Sequence, residues 1–167
     1  MKNKSNRPVI QIEFERQDVA LEILCVAGLI ALWVYVFISY SALPETIPQN
    51  YDLNGSVKSY GSKDNIFITA GVGTLVYVLL TVINRFPHNF NYLSEITPEN
   101  AKRQYTLATK MIRWLKAGII LIFFVTVHIT IDAAGGKNSS LPGYFLPLVM
   151  GVTFIPVIIY ILLSLKK

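Results

Sequence analysis

Apolar residues in this chain gather into four long, nearly uncharged stretches instead of the short alternating runs of a water-soluble domain. Residues 23–44 carry no charge and follow Glu22; residues 65–84 are also uncharged. Residues 114–131 hold a single charge, Lys116, near their start, and residues 141–165 are uncharged with Pro147, Gly151 and Pro156 inside. A bilayer core about 30 Å thick needs roughly 20 apolar helical residues, because lipid offers backbone groups no partners and a helix satisfies its own. The pattern therefore predicts an all-α polytopic membrane protein with four transmembrane helices and a structured outer loop between the first two. Spans fall at residues 19–42, 65–84, 114–132 and 143–165 of a single membrane domain, 1–167. A tail at 1–18, an outer loop at 43–64, a cytoplasmic segment at 85–113 and an outer turn at 133–142 join them. The first apolar run is longer than a signal-peptide core of about 7 to 15 residues, and a partly acidic tail precedes it, so retention as a span is expected.

Loop composition adds local structure. The segment LPETIPQNYDLNGSVKSYGSKD carries Pro44, Pro48, Gly55 and Gly61, which favour an extended, turn-rich course. Asn54 and Gly55 form a strong turn pair among Tyr51, Leu53 and Val57, consistent with a small hairpin. Further on, Thr97, Pro98 and Glu99 read as an N-cap, a first-turn proline and an acid at the positive end of the helix dipole. No breaker follows until Gly118, so a helix from residue 98 is expected to run into the third span and protrude on the cytoplasmic side. Gly135 and Gly136 end that helix, and Pro142 lies near the start of the next.

The composition, 53% hydrophobic and 15% charged with a mean hydropathy of +0.48, excludes a disordered chain and argues against an ordinary cytosolic enzyme. The net charge of +5 is read as topology, with no nucleic-acid partner expected. Placing the tail, the middle segment and the C-terminus on one side collects twelve of the fifteen cations there, with six acids. Only Lys58, Lys63 and Lys137, with four acids, remain on the other side. Cations near span ends are retained in the cytoplasm, so both termini are expected there. Arg103, Lys110 and Arg113 read as lipid-headgroup contacts, and Lys116 as a snorkelling side chain. Cys25, the single cysteine, lies inside an apolar run and allows neither an internal disulfide nor a cysteine metal site.

The motifs LPETIP, NG and YGSK of the outer loop, with PHNFNY and ITPENAKRQY after the second span, resemble a known family. This is the small membrane domain of unknown function at the N-terminus of SdpI-type immunity proteins. By motif the likeness covers residues 43–116; PHNFNY and ITPENAKRQY resemble stand-alone members from bacteria of the Bacteroides group. It implies a multi-pass protein of the bacterial inner membrane. The characterised type protects its producer against a secreted toxic peptide and takes part in signalling through sequestration of a repressor; it is longer, with further spans beyond this domain that this chain lacks. Where the family commonly has His, Asn and Asp, this loop has Asn50, Asp52 and Lys58. Loss of the imidazole removes a general base and a metal ligand together, which argues against hydrolysis or metal binding.

His128 and Asp132 lie four residues apart on the third span, near its outer boundary, with Thr126 and Thr130 nearby. Ionisable groups at that depth are costly unless they face protein or water, which makes them functional candidates; the plainer role is anchoring the outer loop. Asp52, Lys63 and Asp64 are the other outer charges able to meet that face. His88, within PHNFNY, reads as part of a structural knot below the second span. The expected function is non-enzymatic binding, without cofactor or metal, of an envelope-active peptide or membrane partner. Its expected contacts are Pro44, Pro48, Asn50, Tyr51, Asp52, Asn54, Gly55, Tyr60, Lys63, His128 and Asp132. The alternative is a small transporter or transporter subunit, suggested by His128, Asp132 and the proline-bearing fourth span. That reading needs a continuous polar path through the bundle.

Overall fold

The computed structural model describes residues 7–52, 54–136 and 140–166. Lys2, Lys4, Leu53, Lys137 and Lys167, used above for charge and turn patterning, lie outside them. Four helices are long and apolar enough to cross a membrane. They are α1 (Arg16–Tyr40), α2 (Asn65–Ile83), α3 (Ala101–Ala134) and α4 (Phe145–Leu165). The protein is a multi-pass membrane protein, and its outward face of Ile23, Ile38, Ile68, Leu75, Ile155 and Leu162 is exposed to lipid. Between α1 and α2 stands a two-stranded antiparallel hairpin, β1 (Thr46–Tyr51) and β2 (Val57–Ser62).

Side-chain pairings fix the helix directions. Trp33 Nε1 on α1 donates to Thr74 Oγ1 on α2 at 2.9 Å. Gly118 of α3 meets Val152 of α4, and Arg103, near the start of α3, donates to the carbonyl of Leu163 at the far end of α4. The helices thus alternate up and down. α3 is central, touching all three others, and α4 packs mainly on α3. Two ends result: a hairpin end, where β1 and β2 sit, and a tail end, where α1 and α3 begin.

Helix α1 starts with a capping box: Glu15 stands at the N-cap and the Asp18 carboxylate accepts its backbone N–H at 3.0 Å. α3 begins three residues after the expected Pro98. Residues 98–100 form a turn in which Asn100, at the N-cap, accepts from the Thr97 N–H and donates to the Glu95 carbonyl, both at 2.9 Å. With 34 residues α3 runs about 51 Å. Its first turns do not project bare. Ala101, Gln104, Tyr105, Ala108 and Thr109 are buried, because the segment before α1 and the loop after α2 cover them. Tyr105 donates to the Pro8 carbonyl at 3.1 Å, and Arg7 reaches the carbonyls of His88 and Phe90 at 3.1 and 2.6 Å. His88 lies in a short 3-10 turn (Pro87–Asn89), to which Tyr92 donates through the Pro87 carbonyl at 2.8 Å. Burial raises the Tyr92 phenol pKa.

At the other end of α3, Gly136 takes a φ of +77°, the left-handed conformation that ends a helix at a glycine. Pro147 falls in the first turn of α4, where no backbone N–H is needed, so it introduces no break. Pro156 is inside α4 and leaves the Val152 carbonyl without its helical donor. That carbonyl faces Gly118, where a Cβ would come within 3.1 Å.

Candidate functional site

Both helix ends carry polar constellations, and they differ in kind. At the hairpin end the loop folds back over the bundle because Leu43 and Ile47 are buried with Leu32, Val36, Ile66, Ala70 and Val127. Gln49 on β1 and Lys58 on β2 fall out of register, bulging the ladder between Pro48↔Tyr60 and Tyr51↔Val57. The tip is closed by Asp52, whose carboxylate accepts from the N–H groups of Asn54 and Ser56 at 2.9 and 2.8 Å. Gly55 follows with φ +83°, and its carbonyl accepts from the Leu141 N–H at 2.7 Å. Ser56 pairs with Ser140 in the same seam. The turn before α4 is therefore stitched to the hairpin tip.

A cleft of about 380 Å³ lies beneath this cap, walled by β1, the first turns of α2, the far end of α3 and the start of α4. Pro48, Asn50 and Tyr51 contribute from the hairpin, and Thr69, Thr126 and Thr130 from the helices. The Tyr51 hydroxyl is buried without a hydrogen-bond partner. Burial raises its pKa, and Tyr60 adds to the rise.

The expected contacts divide into separate groups. Pro48, Asn50 and Tyr51 line the cleft; Asp52, Asn54 and Gly55 build the tip; Pro44 and Tyr60 are exposed on the cap. Lys63 pairs with Glu45 at 2.9 Å and lies over the Tyr40 ring, and the Glu45 hydrogen bond raises its pKa. Asp64 accepts from the Tyr40 hydroxyl at 2.5 Å and from Ser62 at 3.1 Å, and the Tyr40 bond leads in lowering its pKa. None of these three outer charges is paired with His128. His128 Nδ1 lies 3.0 Å from the Tyr35 hydroxyl of α1, and Nε2 lies 3.7 Å from Asp132. His128 therefore anchors α3 to α1, where an anchor to the outer loop had been expected. Thr126 and Thr130 belong to a different face of α3 and reach the cleft.

At the tail end, cations expected to meet lipid headgroups instead pair with acids of α1. Lys116 is 1% exposed and places its ammonium 2.6 and 2.7 Å from the Glu22 carboxylate oxygens and 3.2 Å from Thr81. Arg113, 3% exposed, lies 3.1 Å from Asp18 and 3.7 Å from Glu22. The Asp18 contact satisfies distance but not alignment, since Nη1 and Nε of Arg113 make no hydrogen bond. Lys110 meets Glu15 at 2.7 Å, completing a ladder up parallel faces of α1 and α3. Arg103 caps the α4 C-terminus through the Leu163 carbonyl. Burial of Arg113 and Lys116 thus replaces the expected headgroup and snorkelling roles. The signal was present in Asp18 and Glu22, spaced to share one face of α1 with Glu15.

Among the described residues, no group of three or more His, Cys, Asp or Glu side chains is placed to hold a metal ion.

Residues 27–74 match the family described as a domain of unknown function, DUF1648. That stretch holds most of α1, the whole hairpin and the first half of α2, hence one wall of the cleft. The chain is also similar to an uncharacterized protein of Archaeoglobus fulgidus, with 25% identity over an alignment covering 78% of each chain. No solved structure matches the chain.

Proposed function

We propose that this is a non-enzymatic bacterial inner-membrane protein, SdpI-like, that binds an envelope-active peptide or membrane partner in the cleft under the hairpin, in immunity or signalling. The cleft itself carries the reading. It lies at the ends of apolar helices, and the Gly55–Leu141 seam holds its cap in place. A few polar groups in a largely preformed concavity are the usual makings of a binding site. Asn50 and Tyr51, singled out in the loop sequence, stand in its wall. The resemblance of LPETIP and YGSK to the immunity-protein loop supports the peptide as ligand, and the charge asymmetry supports a cap facing outward.

The transporter alternative draws on the buried Glu22–Lys116 pair. It is supported less well, because Leu32, Val36, Ala70 and Val127 form a buried apolar layer at the hairpin end of the core.

Photo-crosslinking from position 51 and from position 132 in native membranes tests the reading. Capture of a peptide from 51, lost in a Pro48→Ala/Asn50→Ala variant and absent from 132, is expected. No capture from 51, or unchanged toxin sensitivity after gene deletion across the peptides of its community, would overturn it.

A further inference from the structure

We propose that the groove between α1 and α4 is a site for an anionic phospholipid, its acyl chains lying along α3 and its phosphate held at the tail end by Arg103 and Lys110.

α1 and α4 both pack on α3 and make little contact with each other. A groove of about 690 Å³ is left between them. Its floor is α3 from Trp114 to Phe124, and α4 from Pro147 to Pro156 forms the wall opposite Gly28 of α1. No charged side chain among the described residues lines it. Trp114, 59% exposed, stands at its open side. The part of a ligand that enters is therefore hydrocarbon, since a charge there would lose water and gain no counter-charge.

Length separates acyl chains from a partner helix. Ten residues of α3 make the groove about 15 Å long, half of the roughly 30 Å hydrocarbon core. Val152 stands opposite Gly118, so α4, which begins at Phe145, ends its wall about level with Phe124. There Tyr35 of α1 stacks on Phe124, with ring centres 5.5 Å apart. A spanning helix needs a seam across the whole bilayer, whereas the chains of one leaflet need half.

The tail end of the groove supplies the charge. Arg103, Lys110 and Trp114, seven and four residues apart, share one face of α3. Arg103 is exposed and crosses to α4, donating to the Leu163 carbonyl at 2.9 Å. Lys110 crosses to α1, 2.7 Å from Glu15, and its side chain stays 33% exposed. The two cations thus bracket the mouth of the groove, one on each side. Lys166, exposed at the end of α4, adds a third. Glu15 offsets one of the three, which leaves a surplus of positive charge. A guanidinium and an ammonium each have several N–H donors, and phosphate oxygens accept them strongly. A headgroup without a cation of its own gains most from that surplus.

The test uses the full chain carrying Trp33→Phe, so that Trp114 is the only tryptophan, in dioleoylphosphatidylcholine bilayers. Phosphatidylglycerol or phosphatidylcholine with brominated acyl chains, which quench tryptophan on contact, is added in increasing proportion. Phosphatidylglycerol is expected to associate at Trp114 about fivefold more tightly than phosphatidylcholine. The preference should vanish in Arg103→Gln/Lys110→Gln and persist in Lys102→Gln, an exposed cation off the groove face. Arg103→Gln alone, expected to halve the preference, serves if the double variant misfolds. Gly151→Leu, which meets nothing closer than Ile155 at its Cβ, places a side chain in the groove and is expected to weaken phosphatidylglycerol association at least twofold. Equal association of the two lipids, a preference surviving in the Arg103 variants or lost in Lys102→Gln, or unchanged association in Gly151→Leu overturns the proposal. Quenching of Trp114 by neither lipid would mean that protein covers the groove, and it overturns the proposal as well.

Discussion

Lys116 and Glu22 form an ion pair between α1 and α3, the ammonium 2.6 and 2.7 Å from the two carboxylate oxygens, with Lys116 fully buried and Glu22 partly so. Counting roughly 20 apolar residues back from Tyr40 places Glu22 inside the hydrocarbon thickness. Removing one partner would leave the other charge uncompensated there. Glu22→Gln is therefore expected to destabilise the fold by about 3 kcal/mol. Glu22→Leu combined with Lys116→Met should recover most of that loss, because an apolar pair has no charge to strand. Thermal unfolding of the three proteins in detergent checks both statements. A Glu22→Gln variant as stable as the parent would show that Lys116 finds water or another partner.

The contact of α4 with α3 is set by a glycine. A Cβ at Gly118 would stand 3.0 Å from Val152 Cβ and 3.1 Å from the Val152 carbonyl oxygen, which Pro156 has left without its donor. Gly118→Ala is expected to push α4 away at a cost of about 1 to 3 kcal/mol. Because α4 packs mainly on α3, the loss should appear as faster proteolysis between residues 136 and 144 and as a lowered Tm. Gly71→Ala, at a position open to the surroundings, should leave both unchanged.

Much of this architecture was legible from residue order. The four apolar stretches gave the four helices, since lipid-facing residues must be apolar all round. Asn54–Gly55 marked the hairpin tip, because only glycine readily holds the positive φ found at Gly55. The partners of the charges were not legible. Arg113 and Lys116 flank a span just as headgroup-binding cations do, and the difference is made by acids on another helix nearly a hundred residues earlier. The cleft was equally hidden: Asn50 and Tyr51 are near Thr126 and Thr130 only because the hairpin folds back over α3, a fact of tertiary packing that no local pattern encodes. The same packing turns His128 toward Tyr35 instead of the loop.

The hairpin tip depends on Gly55 in two ways. Its φ of +83° strains any L side chain, and a Cβ would come 3.3 Å from Leu141. Gly55→Val is expected to cost about 1 to 2 kcal/mol from conformation alone and to open the seam to the turn before α4. Hydrogen exchange should read it locally: the Leu141 amide, which donates to the Gly55 carbonyl at 2.7 Å, should lose protection. The amides of α2 should not.

Asp64 gives the cap an acid-sensitive joint. The Tyr40 hydroxyl first, then Ser62, stabilise its carboxylate and lower its pKa. A carboxyl depressed on folding contributes stability that is full above the unfolded value, about 3.9, and that is lost as pH falls through the lower folded value. Carbon-13 NMR titration of Asp64 should show the depressed pKa in the parent and a return toward the ordinary range in Tyr40→Phe. Lys63→Met should move it less, since the lysine charge is the smallest of the lowering causes. An equal effect of the two variants would mean that charge, and not the hydroxyl, holds the joint.

The arrangement of the helices makes one expectation about sidedness sharp. Up-and-down packing puts the start of α1, the α2–α3 loop and the end of α4 at one end, and these segments hold Arg7, Arg85, Lys102, Arg103 and Lys166. The hairpin end carries Lys58 and Lys63, with Lys63 neutralised by Glu45. Cation retention then predicts that the hairpin faces away from the cytoplasm. On a Cys25→Ser background, Lys58→Cys should react with a membrane-impermeant maleimide in intact cells, whereas Lys102→Cys and Lys166→Cys should react only after permeabilisation. Reversed labelling would put the cleft on the cytoplasmic face, where a secreted peptide could not reach it, and the proposed ligand class would have to be sought among cytoplasmic partners.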